Sequence, residues 1–196
     1  KINRRAKVLY TGSALPADIW GHQGSGLAPS HIIAIERDSL RCTGIGNGYC
    51  RTIALRVFYG PYTTPYARII KELVIAWFRV YSFNMCGIPI IQLSKAWHIA
   101  YNRIKLQPSN INNVRGIMTN MINMLFTLNW NPIHFNEWID PSGCKWKLCL
   151  DSSPRDIIRN LITDFNTKEL KRASIFRNGS GIEHDISWHF TLALHK

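Results

Sequence analysis

The chain has 196 residues, of which 46% are hydrophobic, including 7 Trp, 7 Tyr and 8 Phe. This length suits one domain, or one domain with an appendage, and the apolar content excludes wholesale disorder. The net charge of +12 is uneven, with 11 Lys/Arg against 4 Asp/Glu in residues 1–81, 6 against 2 in residues 82–150 and 7 against 6 in residues 151–196. This basic excess favours polyanionic partners, nucleic acid before membrane, with a surface kept basic for solubility as the alternative.

Targeting signals give a second set of expectations. No apolar run approaches the roughly 18 residues that a membrane span needs, and no charged-then-apolar leader precedes the first helix. The five cysteines are an odd number without a dense framework, which favours a reducing compartment. We therefore expect an intracellular protein of the cytoplasm and nucleus, without a membrane partner. Because residue 1 is Lys, we also expect a fragment or a processed piece.

The first fifty residues predict short helices. The pattern indicates a basic helix over 3–12 that Gly12 ends, and a short helical or turn segment that begins at Leu15-Pro16. Ser30 is a good N-cap for a helix over 31–42. In that helix Ile32, Ile35 and Leu40 should face the core, with Glu36, Arg37, Asp38 and Arg41 mostly in water. A glycine-rich loop follows at 43–52.

Three amphipathic helices come next. The clearest covers Pro65–Phe83, and the second starts after Pro89 and ends before Pro108. A third apolar stripe follows. In chain order the stripes consist of Tyr66, Ile69, Ile70, Leu73, Trp77 and Tyr81; of Ile90, Leu93, Trp97, Tyr101 and Ile104; and of Val114, Ile117, Met118, Met121, Ile122 and Leu125. Helices of this kind cannot bury a face alone, so we expect them to pack as a bundle.

The spacing of the apolar residues changes near residue 133 from a helical period to strand-like alternation. Cys144, Trp146, Leu148 and Leu150 alternate with Lys145, Lys147 and Cys149, and the turn at 140–143 joins this strand to Phe135–Ile139 as a β-hairpin. A helix should then open at Ser153-Pro154, and the alternation over 186–194 indicates a strand, with a helix as the alternative. The predicted fold class is mainly α, a helical bundle with a β-hairpin attachment. The predicted domains are 1–129, basic and helical, and 130–196, a hairpin–helix appendage.

A series of short motifs resembles a known family. It comprises Arg4-Arg5-Ala6-Lys7-Val8-Leu9-Tyr10, Ala14-Leu15-Pro16, Trp20-Gly21, Gly26-Leu27-Ala28-Pro29, Ile35-Glu36-Arg37, Arg51 with Ala54-Leu55, Gly60-Pro61, Trp77, Trp97, Trp130, Trp138-Ile139-Asp140, and Gly181-Ile182 with Asp185 and Trp188. Their order is similar to that of the segment downstream of the polymerase palm, the thumb and connector region, in protist-type non-LTR (LINE-type) reverse transcriptases. Departures include Trp20 where the family usually has Tyr, and Gly60 where Asp often precedes Pro.

The resemblance implies a place in a retroelement polyprotein whose parent is an RNA-directed DNA polymerase. The aromatic-x-Asp-Asp box of such polymerases is absent, since no two Asp are adjacent in the chain. The implied role is to hold template RNA or the template–product RNA–DNA duplex, with the palm of the same polyprotein as a protein partner. A decayed retroelement remnant without activity and a stand-alone basic helical protein of a ribonucleoprotein stay as alternatives.

Other chemistries find little support in the sequence. Cys144/Cys149 and His184/His189 are separated too widely for a zinc finger, and alternation puts the two cysteines on opposite faces of a strand. Gly44–Gly48 lacks the preceding strand and the Gly-Lys-Ser/Thr of a phosphate loop. Capping and solvation explain the Asp residues at 140, 151, 156 and 164. We expect no catalytic residues, no metal and no cofactor in this chain, and whether it belongs to an enzyme stays open.

The candidate nucleic-acid contacts are basic residues near aromatic ones. Cations on an outer face can bind phosphates while neighbouring aromatic rings stack on bases. The candidates are Arg4, Arg5 and Lys7 before Tyr10, Arg51 and Arg56 around Tyr49, Phe58 and Tyr59, and Lys145 and Lys147 on either side of Trp146. The alternative is that the aromatic residues belong to the core and the cations are merely solvated.

Overall fold

The fold is mainly α-helical with a small antiparallel sheet attached, which confirms the predicted class. The computed structural model describes residues 4–44, 51–82, 87–107, 110–149 and 153–176. The predicted strand at 186–194, the Gly181–Trp188 motifs and much of the glycine-rich loop lie outside these residues. The helices are α1 Arg4–Leu9, α2 Leu15–Asp18, α3 His22–Ser25, α4 Pro29–Cys42, α5 Arg51–Tyr59, α6 Pro65–Ser82, α7 Ile90–Leu106, α8 Ile117–Thr127 and α9 Arg155–Phe176.

The residues form two compact units. The first takes its described residues from Lys1–Trp20, Ala28–Ile69 and Ile162–Lys196, and the second from Gly21–Leu27 and Ile70–Leu161. The domain boundary predicted between residues 129 and 130 stays a prediction.

Buried tyrosines connect the helices of the first unit. The hydroxyl of Tyr10 donates to the carbonyl of Ile35 at 3.0 Å, and that of Tyr59 donates to the carbonyl of Ser39 at 2.9 Å. Burial raises the pKa of the Tyr59 hydroxyl to about 12, so it stays a donor at neutral pH. Leu40, Leu55 and Tyr59 form a core cluster between α4 and α5. The two tyrosine bonds thus fix α5 and the residue that follows α1 against the same helix, α4.

The N-terminal helix continues further than the sequence predicts. A π-helical turn, Tyr10–Ala14, connects α1 directly to α2, so Gly12 lies inside a helical segment and does not end it. Helix α4 begins at Pro29, after Ala28 as N-cap, so the assignment of Ser30 as the N-cap is wrong. Proline suits a first helical position because its missing N–H has no helical partner there.

The second unit is built around two tryptophans. Trp77 of α6 and Trp97 of α7 are 0% and 1% exposed, and their ring centroids lie 5.1 Å apart. Their indole N–H groups donate to the carbonyls of Phe135 at 2.9 Å and Pro132 at 3.1 Å. Within the second unit Leu73 and Trp77 of α6 and Leu93, Trp97 and Ile104 of α7 are buried as predicted, and α7 packs against α8, whereas Ile90 is exposed.

One side chain of α8 holds the short helix α3 in the second unit. The Asn120 side chain donates to the carbonyls of His22 at 2.7 Å and Gln23 at 3.2 Å, which anchors α3. Gly26 has φ +69°, and a Cβ there would lie 2.8 Å from Ile111 Cδ1. The positive φ favours glycine at this position, whereas the end of the Ile111 side chain could move aside.

The sheet has the order β1–β2–β3, with β1 Asn131–His134, β2 Glu137–Ile139 and β3 Lys145–Lys147, all antiparallel. The predicted hairpin is β2–β3, with Trp138 opposite Trp146. Strand β1 was not predicted, and Phe135 lies in the turn between β1 and β2. Leu148 is buried, whereas Cys144, which belongs to the same alternating set, is exposed.

Candidate nucleic-acid interface

The basic residues of α1 do not form one exposed patch. Lys7 is half-buried, its Nζ donates to the carbonyl of Phe58 at 3.1 Å, and it lies 5.6 and 5.2 Å from the ring centroids of Phe58 and Tyr59. Burial lowers the pKa of the Lys7 ammonium. Lys7 therefore links α1 to α5, and its contact with a phosphate stays a prediction. Arg5 is exposed, and the Arg4 side chain lies outside the described part.

Arg56 is an internal residue of the first unit. It is 2% exposed, and its guanidinium donates to the carbonyls of Thr52 at 2.7 Å and Asn166 at 3.4 Å. The guanidinium also lies 5.9 Å from the Phe165 ring centroid. A buried cation that is hydrogen-bonded to the backbone cannot reach a phosphate, so the prediction for Arg56 is wrong.

Arg51 is paired with an acid. Its Nε lies 3.0 Å from Oε2 of Glu36, whose side chain is 9% exposed. Glu36 was predicted to face water and is instead buried. Burial raises the pKa of the Glu36 carboxyl, although the positive charge of Arg51 opposes the shift. Glu36 already neutralises Arg51, which leaves the arginine poorly suited to bind a phosphate.

The hairpin lysines remain exposed. Lys145 and Lys147 lie on the face of β3 that also carries Glu137 of β2, and Lys145 Nζ is 3.6 Å from Glu137 Oε1. An exposed pair at this distance contributes little and leaves both lysines accessible to a phosphate.

Trp146 does not accompany these lysines. It lies on the other face, half-buried, with its ring centroid 6.3 Å from that of Trp130. The predicted arrangement of cations around an exposed stacking ring is therefore absent at the hairpin.

Asp140 organises the hairpin turn. Its Oδ1 accepts from the backbone N–H groups of Ser142 at 2.8 Å and Cys144 at 2.9 Å, and its Oδ2 accepts from the indole of Trp146 at 2.8 Å. Burial raises the pKa of this carboxyl, but the hydrogen bonds together outweigh burial, so the net pKa is lowered. Asp140 thus has the structural role that the sequence predicts.

The structure adds basic residues that sequence reasoning missed. Lys95, Arg103, Lys105 and Arg115 of the second unit are exposed. Arg103 donates to the carbonyl of Asn113 at 3.4 Å, which brings the end of α7 beside the segment that carries Arg115. Lys105 Nζ lies 5.6 Å from the Tyr101 ring centroid, so a cation and a half-buried aromatic ring do meet here. The available signal was the complete absence of Asp and Glu from residues 73–136.

A hydrogen-bonded series of side chains connects α7 to the sheet. His134 Nε2 is 3.1 Å from Ser94 Oγ, His134 Nδ1 is 2.7 Å from Asn136 Oδ1, and the Asn136 amide donates to the Tyr81 hydroxyl at 3.3 Å. This order resembles a nucleophile, a base and an orienting residue. Ser94, however, lies inside α7, where its backbone N–H is used within the helix, and catalysis of acyl transfer needs free donors for an oxyanion. The series is best understood as a structural link.

The described ranges contain neither a metal-binding cluster nor a membrane-spanning helix. These ranges contain no group of three or more His, Cys, Asp or Glu residues placed to hold a metal. Cys144 and Cys149 are exposed free thiols, and His184 and His189 lie outside those ranges. Among the helices described, none is both long and apolar enough to cross a bilayer.

Comparison with protein-family models, with curated proteins and with solved structures finds no match for this chain. The retroelement resemblance of the sequence therefore stays a prediction.

Proposed function

We propose that this chain is a non-catalytic nucleic-acid-binding segment, which holds RNA or an RNA–DNA duplex through phosphate contacts. The observation that carries the proposal is the acid-free stretch 73–136, in which Lys95, Arg103, Lys105 and Arg115 are exposed. Cations that have no carboxylate neighbours in the same stretch keep their charge available for a polyanion.

The proposed surface differs from the sequence-based one. It consists of the α7 basic end, defined as Arg103, Lys105 and Arg115, and the hairpin lysines, Lys145 and Lys147, all in the second unit. Arg5 stays a candidate on the first unit. Because these contacts reach the backbone of the nucleic acid, binding should tolerate changes of base sequence.

The resemblance supplies the biological context of the proposal. It favours a thumb and connector segment of a LINE-type reverse transcriptase polyprotein that acts beside the polymerase palm inside the cell. A decayed remnant and a stand-alone ribonucleoprotein component are the competing proposals. An aromatic-x-Asp-Asp box in the reading frame directly upstream of Lys1 would favour the retroelement segment.

Fluorescence anisotropy of a labelled single-stranded RNA across a salt series tests the binding. The logarithm of affinity should fall linearly with the logarithm of salt concentration, by about 0.7 per phosphate contact on a single strand. Neutralising Lys105 and Arg115 to Gln should reduce that slope by about 1–1.5, and so should neutralising Lys145 and Lys147.

The control removes the same number of positive charges from the first unit. Lys168 and Lys171 flank Glu169 on α9, in the first unit. Their replacement by Gln should leave the slope unchanged. Wild-type protein that does not bind at low salt, or binds with a slope near zero, would favour the decayed-remnant proposal.

A further inference from the structure

Helix α7 has two stripes of residues along its length. One stripe is buried, on a helix that packs against α8 and β1, and the other is exposed. The inner stripe, Leu93, Trp97, Ala100 and Ile104, is buried. On the opposite side lies the outer stripe, which we define as Ile91, Lys95, Ile99, Asn102 and Leu106. Ile91, Ile99 and Leu106 are 71%, 69% and 84% exposed.

The spacing of the outer stripe is typical of a helix–helix contact. Its members follow one another at steps of 4, 4, 3 and 4 residues, which places them along one side of a helix. Side chains at such positions form the ridges that pack into the grooves of a second helix. Single exposed aliphatic residues are ordinary, but three on one stripe indicate a surface that a partner covers.

A groove runs beside this stripe. It lies between α7 and β1, has a volume of about 420 Å³, and is lined by Ser94, Lys95, Trp97, His98, Ile99, Ile133 and His134. Ile99 and Ile133 give it aliphatic walls. Such a groove can accept a large apolar side chain of a helix that is packed on the outer stripe.

Charge decides which kind of helix fits. Helix α7 contains no Asp or Glu, Lys95 lies within the outer stripe, and Arg103 lies next to it. A second copy of the chain, packed through the same stripe, would bring lysine towards lysine at a cost in free energy. A helix with carboxylates beside its apolar positions would bring opposite charges together.

Two other partners fit less well. Nucleic acid recognised by stacking needs exposed rings, and the outer stripe has only aliphatic, amide and ammonium groups. A membrane-bound helix keeps its charges on the face away from the lipid, whereas Lys95 and Asn102 lie among the apolar residues of this stripe.

We propose that the outer stripe of α7 is the docking surface for an acidic amphipathic helix of a partner protein. An apolar side chain of that helix fills the groove beside Ile99 and Ile133, and its carboxylates face Lys95 and Arg103. Arg103 belongs to both this surface and the α7 basic end, whereas Ile91, Ile99 and Leu106 belong to the docking surface alone and distinguish the two proposals.

The test uses a synthetic peptide. The probe, the Glu peptide, is a labelled 18-residue helix with Leu at alternating three- and four-residue steps and Glu at the flanking positions. The control, the Lys peptide, has Lys in place of every Glu. By anisotropy the Glu peptide should bind the whole chain. The Ile91→Gln/Ile99→Gln variant should bind at least about tenfold more weakly, since it loses most of the apolar contact. Lys95→Glu should weaken binding by a similar factor.

A matched control is available on α1. Val8 and Leu9 are 69% and 71% exposed, and Val8→Gln/Leu9→Gln removes equivalent apolar area from a different surface. This variant should bind the Glu peptide as wild type does. Circular dichroism should show unchanged helicity in every variant, because each substituted side chain is exposed.

Several results would overturn the proposal. They are no binding of the Glu peptide, equal affinity for the Lys peptide, or an equal loss in the α1 control. Dimers in sedimentation velocity that Ile91→Gln/Ile99→Gln dissociates would identify a second copy as the occupant. Loss of RNA affinity, or of binding to anionic phosphatidylglycerol vesicles, in that same variant would identify nucleic acid or a lipid surface.

Discussion

Trp77 and Trp97 each combine apolar burial with one hydrogen bond to a backbone carbonyl of the β1 segment or the turn after it. Truncation of either residue to Ala removes both contributions and should lower the free energy of unfolding by about 3–5 kcal/mol. Urea denaturation measures the change. Trp20→Ala is the control, because Trp20 is 88% exposed and its truncation should change stability by less than about 0.5 kcal/mol. Unchanged midpoints for both core variants would contradict the assigned packing of α6 and α7.

Glu36 gives a prediction about pH. Burial raises the pKa of its carboxyl above the ordinary value of 4.5, so between that value and the folded-state pKa the folded chain binds more protons than the unfolded chain. The contribution of Glu36 to stability is thus fully present below pH 4.5 and is lost as pH rises through the folded-state pKa. The free energy of unfolding of wild type should therefore fall relative to that of Glu36→Gln as pH rises above 4.5.

Urea titrations of wild type and Glu36→Gln at several pH values between 4 and 7 measure this difference in the free energy of unfolding. A difference between wild type and Glu36→Gln that stays flat over the same range would show that Glu36 is not desolvated.

At the scale of elements, substitution of Gly12 tests whether the helical segment continues beyond this residue. Gly12→Ala should stabilise the protein by about 0.4–1 kcal/mol, because Gly12 is helical and no atom lies within 4 Å of the added Cβ. Gly21 also has nothing within 4 Å, but its φ is +74°, so Gly21→Ala should destabilise by about 1–2 kcal/mol. The two variants differ mainly in backbone conformation, and thermal unfolding compares them. Destabilisation by Gly12→Ala would support the helix end that the sequence predicts.

The elements that the sequence predicts well are those with long apolar stripes. Helices α6, α7 and α9 each extend over 17 residues or more, so that the 3.6-residue period is clear. Helix α5 was missed because its buried face includes Thr52 and Arg56, which interrupt the apolar pattern. Helix α3 has four residues and depends on Asn120, 98 positions away from His22 in the chain.

The candidate site was harder to predict for a related reason. Sequence shows that Arg51 and Arg56 are basic but not which groups the fold brings to them. Glu36 comes from another helix, and the carbonyl that Arg56 binds lies 110 positions away at Asn166. The hairpin lysines were placed correctly because strand alternation alone sets their face.

At the scale of the whole molecule, the low number of acidic residues bears on catalysis. Nucleic-acid chemistry by two metal ions needs carboxylates that converge on ions about 4 Å apart. The chain has twelve Asp and Glu against twenty-four Lys and Arg, and the ranges described hold no cluster able to bind a metal. We therefore expect Mg²⁺ or Mn²⁺ to leave its thermal unfolding midpoint unchanged, and the purified protein to show neither primer extension nor cleavage.

Removal of metal by EDTA distinguishes a segment that only binds RNA from a metal-dependent polymerase or nuclease. RNA binding should persist when EDTA removes Mg²⁺, because the proposed contacts join lysine and arginine directly to phosphate and need no metal bridge. A polymerase or nuclease would instead lose activity on chelation. Metal-dependent cleavage or extension that one Asp substitution abolishes would show that the chain contains an active site, and the proposed non-catalytic role would then be wrong. Binding in both buffers, with no product in either, is what a segment that only holds nucleic acid should give.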